Sequence, residues 1–204
     1  MYRLPYFTEH NEETVKAFMR EHNFATLVSN DDPYPAFTQI PLIIEETGDG
    51  MIFEGHMMRN TDHHKAFMKN PGVVAIFHGP HCYVSASWYE EPGGSTWNYM
   101  NVYAKGKLTF YDDDERTRAA LKKITDKYEG PGKPSSFENL PDDYVKRLSV
   151  AVVCFQIKVE SIENVFKLSQ NHHAADQENI IRQLEMREDA GSHAIAKEMK
   201  LRLK

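Results

Sequence analysis

Two short stretches of the chain set polar and charged groups where regular structure ends. In Gly55-His-Met-Met-Arg-Asn60 a strand closes on a lone Arg, followed by Asn and a helix start. Arginine beside the free N–H groups of a helix N-terminus makes a small anion site. The same residues also suit an ordinary surface Arg at a strand end. In Phe166-Lys-Leu-Ser-Gln-Asn171 four polar donors or acceptors follow a long buried strand directly. They read either as a hydrogen-bonding site or as a strand-to-helix turn with Asn171 as its cap. A third stretch, Phe77 to Tyr99, collects Trp88, Tyr89, Trp97 and Tyr99 between Gly and Pro breaks. Rings with polar handles pack on a core, a second subunit or a flat ligand. Together the three stretches offer basic groups for a phosphate, amides for a heterocycle edge and rings for its flat face. That is the set a phosphorylated aromatic cofactor needs.

Other chemistries find less support. No GxGxxG, GxxxxGK[ST] or CxxC occurs, so nucleotide loops and zinc knuckles have no sequence signal. His63-His64 and His172-His173 are adjacent pairs, and adjacent residues do not face the same way on a helix. They read as solvated surface histidines, and no metal site is expected. Ser85 and Ser87 lack a GxSxG elbow, so no serine nucleophile is expected. No residue stands out as a catalytic acid, base or nucleophile.

The elements that must position these groups follow from pattern. Thr8 is a candidate cap for a helix whose Val15, Phe18 and Met19 share one face. Phe24 to Ser29 reads as a strand and Asn30 to Pro35 as a turn. Ala36 to Ile44 reads as a second strand interrupted by Pro41, and Met51 to Met57 as a third. A short helix is expected from a cap near Thr61 or Asp62 until Pro71-Gly72. Val73 to Phe77 and Tyr99 to Tyr111 read as strands. The acidic run 112–114 caps a helix through about Tyr128, with Ala119, Leu121 and Ile124 on its inner side. Residues 130–140 form a loop, Ser149 to Ile162 a long β-branched strand, and the chain is helical and charged from Asp176 on. No linker separates the strands and no repeat is evident. The expected architecture is mainly β with peripheral helices: one domain over residues 1–204, with a helical segment from about residue 173.

Composition narrows the classes. The chain has 204 residues, 41% hydrophobic and 26% charged, the balance of a globular protein with a substantial core. No apolar run approaches the roughly 20 residues of a membrane span. An acidic, polar N-terminal region and two cysteines in apolar settings suggest a cytoplasmic protein with free thiols. The net charge of −6 opposes a phosphate-tracking surface, so weak direct binding to DNA is expected.

The motifs also carry a resemblance. Gly79-Pro-His-Cys-Tyr-Val-Ser-Ala-Ser-Trp-Tyr89, then Ser95-Thr-Trp-Asn-Tyr99, then Phe166 to Asn171 closely resemble the PaiB-type FMN-binding negative transcriptional regulators. Gly55 to Asn60 and Thr38-Gln-Ile-Pro-Leu42 resemble two further regions of that family, and all occur in the family's order. The resemblance implies a split β-barrel, related to pyridoxamine-phosphate oxidases, that dimerises and binds FMN at the subunit interface. On that reading Arg59 and Lys167 contact the phosphate, and Asn60 and Ser169 add hydrogen bonds. Gln39, Gln170 and Asn171 address polar edges, and Trp88, Trp97 and Tyr99 lie beside the flavin or the partner. Gln39 and Tyr103 stand where the family usually has His, and Ala86 where it has Pro. Two alternatives remain open: a flavin-dependent oxidoreductase, and a haem-binding split-barrel protein using one of the ten histidines as axial ligand.

Overall fold

The computed structural model describes residues 4–111 and 113–203; Asp112, part of the expected acidic cap, lies outside them. Six α-helices and seven strands occur among the described residues. In chain order they are α1 (Glu12–Glu21), β1 (Phe24–Ser29), β2 (Ala36–Pro41), β3 (Ile43–Thr47), β4 (Gly50–Met58), α2 (Asp62–Lys69), β5 (Gly72–Val84), β6 (Thr96–Phe110), α3 (Asp114–Glu129), α4 (Asp142–Ala151), β7 (Val152–Lys167), α5 (Ala174–Glu185) and α6 (Ala190–Arg202). The strands form one open seven-stranded sheet in the order β2-β1-β5-β6-β7-β4-β3. The chain divides into two compact units: residues 1–22, 78–102 and 163–204, and residues 23–77 and 103–162.

The second of these units holds the meander. β1 pairs antiparallel with β2 (Thr26 opposite Gln39) and with β5 (Thr26 opposite Ile76). β4 pairs with β3 and with the first half of β7, so His56 faces Cys154 and Met58 faces Val152. Strict alternation along β1 and β4 sends Ala25, Leu27, Phe53, Gly55 and Met57 inward. Gly55 is required there by close approach. A Cβ on it would stand 2.8 Å from Phe155 Cζ, a fully buried ring. On the other side of β7, Ala120 and Leu121 of α3 and Val145 of α4 bury Tyr111, Val152 and Cys154 beneath them. The Tyr111 hydroxyl donates to Glu54 of β4 at 2.5 Å, and Lys123 of α3 bridges Glu54 and Glu45.

The other unit is built around α1, α5, α6 and the remaining portions of β5, β6 and β7. Its core includes Phe18, Met19, Val84, Met100, Phe166, Leu184, Ile195 and Met199. A polar knot sits inside it. Asn98, fully buried on β6, donates to the Ser169 hydroxyl at 2.9 Å, and that hydroxyl donates back to Asn98 Oδ1 at 3.2 Å.

Several sequence expectations need adjustment. The cap of α1 is Asn11, whose side chain accepts from Thr14 N–H, not Thr8; the Val15, Phe18 and Met19 face is as expected. Pro41 ends β2 rather than bending it, and the chain restarts as β3. β5 runs seven residues past Phe77. The long strand begins at Val152, because residues 142–151 form α4. On α3, Ala119 is exposed and Ala120 takes its inward place. The C-terminal helical stretch is two helices, with Asp189 capping the second by accepting from Ser192 N–H.

Candidate functional site

Arg59 and Asn60 follow directly on β4 and precede α2. The Arg59 backbone N–H is anchored on Ala151 O at 2.9 Å, and its guanidinium side chain is exposed. Asn60 takes a left-handed conformation, φ 64°, which Asn tolerates better than most residues. Its N–H donates to His64 Nδ1 at 3.1 Å. The Thr61 hydroxyl caps α2 through His64 N–H. The turn therefore presents a guanidinium beside a capped, positively polarised helix end, an arrangement suited to an anion. Gln39 is exposed on edge strand β2, opposite Thr26.

His64 is no surface histidine. It is buried edge-on to Phe110, with ring centroids 4.9 Å apart. Burial, then the positive charges of Arg59, His63 and Lys65, hold its pKa below the ordinary histidine value. In the same unit His56 Nδ1 is buried with no hydrogen-bond partner among the described residues, and burial lowers that pKa too.

In the other unit the turn after β7 uses much of its polar chemistry on itself. Ser169, 1% exposed and at φ 63°, is bonded to Asn98. The Gln170 side chain accepts from Leu168 N–H at 2.7 Å and donates to Phe166 O. Lys167 donates to the Thr96 hydroxyl, and partial burial lowers its pKa. Asn171 is exposed. Tyr99 lies half-buried on β6. Trp97, 54% exposed, stands beside His81 and Tyr83, each ring 6.1 Å away, and forms an aromatic ridge.

Trp88 and Tyr89 are latched to α5. Asn179 donates to Trp88 O at 2.7 Å, and the Arg187 guanidinium lies 4.7 Å from the Trp88 ring centroid. Asp176, buried at the start of α5, accepts from Glu90 N–H at 2.8 Å. Its other oxygen lies 3.4 Å from His172 Nδ1, and Tyr89 stacks on that imidazole with centroids 4.4 Å apart. This Asp–His pair is absent from the sequence-derived candidates. Its signal is the i, i+4 spacing of His172 and Asp176, which inspection of neighbouring histidines does not weigh. Both cysteines are free and buried, and burial pushes Cys82 up to about 11 and Cys154 up to about 12.

Known proteins resemble this chain in sequence and in fold. The family model described as "Putative FMN-binding domain" matches residues 1–161, and the chain belongs to that family. It is 32% identical over 205 residues to the protease synthase and sporulation protein PAI 2 (PaiB) of Bacillus subtilis (strain 168), covering all of this chain and 99% of that one. It is 30% identical over 152 residues to an uncharacterised Aspergillus fumigatus protein, covering 64% of this chain and 58% of that one. Among solved structures, the FAD and heme binding protein from Mycobacterium smegmatis aligns with a TM-score of 0.60 at 13% identity, over 79% of this chain and 73% of that one. The flavocytochrome Anf3 from Azotobacter vinelandii aligns at 0.59 and 15%, over 81% and 72%. The architecture is the split-barrel, flavin-binding type expected from the motifs. This is an FMN-binding, PaiB-like protein, and FMN is its cofactor. The Arg59 turn fits the phosphate of that group, offering an exposed guanidinium at a helix start.

Protonation of His64 removes the acceptor for Asn60 N–H. Because its folded pKa is depressed, the stability it contributes is full above the ordinary histidine range and is lost as the pH falls through that range. Melting curves of wild type should therefore drop as the pH falls from about 7 to about 5. His64→Leu should cost about 1–2 kcal/mol at neutral pH by stranding Asn60 N–H. It should also flatten part of the pH slope, His22, His56 and His63 keeping the remainder. An unchanged slope would exclude His64 from the acid response.

Proposed function

We propose that this FMN-binding protein works as a homodimer, with flavin held at the subunit interface, in a regulatory rather than a catalytic role. Arg59 is the phosphate ligand, with Asn60 donating beside it. Gln39 addresses a polar edge of the cofactor. Lys167, Gln170 and Asn171 supply polar contacts, and Trp88, Trp97 and Tyr99 supply flat faces to flavin or partner subunit. Ser169 acts by fixing the turn that carries these groups. The observation that carries the reading is the Arg59 turn: an exposed guanidinium, beside a helix start, with no ion pair among the described residues. The name of the Bacillus subtilis relative, protease synthase and sporulation protein PAI 2, supports a regulatory reading through its reference to sporulation. With a net charge of −6, regulation through a partner is favoured over direct capture of DNA. The free, buried cysteines support a cytoplasmic setting, and no helix among the described residues is long and apolar enough to cross a membrane.

The phosphate separates FMN from riboflavin, so it isolates the role of Arg59. A charge-assisted hydrogen bond contributes about 1.5–3 kcal/mol before discounting for exposure. Arg59→Ala is expected to lower the preference for FMN over riboflavin by about tenfold or more, with riboflavin affinity nearly unchanged. Arg59→Lys should recover only part, since it keeps the charge and loses the planar fork. Titration of flavin fluorescence measures both ratios, and an unaltered ratio in Arg59→Ala would remove Arg59 from the site.

The exposed Trp97 ridge supports the dimer, because large apolar surfaces are covered at interfaces. Light scattering of the FMN-loaded protein at micromolar concentration should give twice the chain mass. A flavin-loaded monomer would exclude the interface reading.

One feature favours a second reading, a flavin-dependent oxidoreductase. Bound FMN supplies electron and hydride transfer. The buried Asp176 lies 3.4 Å from His172 Nδ1, a contact that favours an oriented imidazole of the kind used in proton transfer. On this reading the FMN-loaded protein oxidises NADH or NADPH, and His172→Gln lowers turnover without releasing flavin. Absence of oxidation with either nucleotide retires it.

A further inference from the structure

A half-open cavity of about 770 Å³ lies wholly within the unit that contains α1 and α6. That volume is inside the roughly 300–1,000 Å³ typical of small-ligand sites. Its apolar surfaces come from Phe18, Phe166, Met100 and Pro80. The Phe18 and Phe166 rings meet at 5.0 Å between centroids, tilted by 47°. Ala17 of α1 and Ala190, Gly191 and Ala194 of α6 also line it, small residues that leave the space unfilled. None of the residues assigned above to FMN lines it.

The charges around it are asymmetric. Arg202 is already engaged. Its Nη1 donates to Glu198 at 2.5 Å, its Nη2 lies 3.4 Å from Glu9, and its guanidinium carbon lies 5.4 Å from the Phe166 ring centroid. An entering anion would meet two carboxylates at that guanidinium. Glu21 adds a third carboxylate, against the cations Arg202 and Lys197 among the described lining residues. His22 beside it is held neutral-leaning, its pKa lowered by burial more than Glu21 and Glu198 raise it. Among the described lining residues the surplus is one negative charge next to an aromatic surface. A flat cation gains from both, through carboxylate contact and through the ring faces.

We infer that this cavity is a second binding site, separate from that of FMN, for a compact ligand with a flat apolar body and a cationic head of the aryl amidinium or aryl ammonium class. Benzamidine and benzoate, equal in shape and opposite in charge, are the probes. Calorimetric titration of the FMN-loaded protein should show one benzamidine per chain and no benzoate. Glu198→Gln should weaken benzamidine about tenfold, since Arg202 keeps Glu9 while the cavity loses a carboxylate. Ala194→Phe should abolish binding by filling the space. Flavin absorbance retained by both variants shows that each is folded and that the FMN site is intact. Equal binding of benzoate, no benzamidine binding by wild type, or an unchanged titration in Ala194→Phe each overturns the inference. Release of FMN by benzamidine also overturns it, by showing that the cavity belongs to the flavin site.

Discussion

Three strands, β5, β6 and β7, are each required to serve two cores. They run for 13, 15 and 16 residues, against the roughly 5–6 of an ordinary strand. A strand that long has to keep its inward face correct over its whole length, because a slip of one residue exchanges the two faces. β6 does so without interruption: Asn98, Met100, Val102, Ala104, Gly106 and Leu108 are all buried. β5 does not. Its buried residues are 73, 75 and 77 and then 82 and 84, so the phase changes across His78-Gly-Pro-His81. Gly79 falls within that change, where a Cβ would stand 2.5 Å from the Phe18 ring. The phase change and the ring it admits are one solution to a strand shared between cores.

This explains which parts of the fold the sequence exposes. β1 and α2 follow from local rules, alternation in one and the Thr61 cap in the other. The first part of β5 is legible from its apolar run, but Gly79-Pro80 reads as a break, because continuity there depends on Phe18, far away in the chain. α4 is hidden for a different reason. Ser149-Val-Ala-Val-Val153 is β-branched and suggests a strand, while Val145 buried against α3 overrides that preference for the preceding turns. The signal was Pro141 followed by Asp142 and Asp143, a helix start.

The candidate site divides in the same way. Arg59 and Asn60 are readable because a strand end, a left-handed Asn and a capped helix are consecutive in sequence. Ser169 and Gln170 are not readable in their observed roles. Their side chains turn back on Asn98 and on the local backbone, and only the folded turn reveals it. Trp88 carries a polar handle in sequence, yet what fixes it is Asn179 and Arg187, about a hundred residues on. Position along the chain conveys residue chemistry; which polar atoms are already spent is a property of packing.

The two buried cysteines have a consequence for endurance. A thiol reacts with oxidants through its thiolate, and burial pushes Cys82 up to about 11 and Cys154 up to about 12, which keeps both sulfurs in the less reactive thiol form at neutral pH. By sealing Cys82 and Cys154 inside separate cores, the chain withholds both sulfhydryls from oxidants in solution.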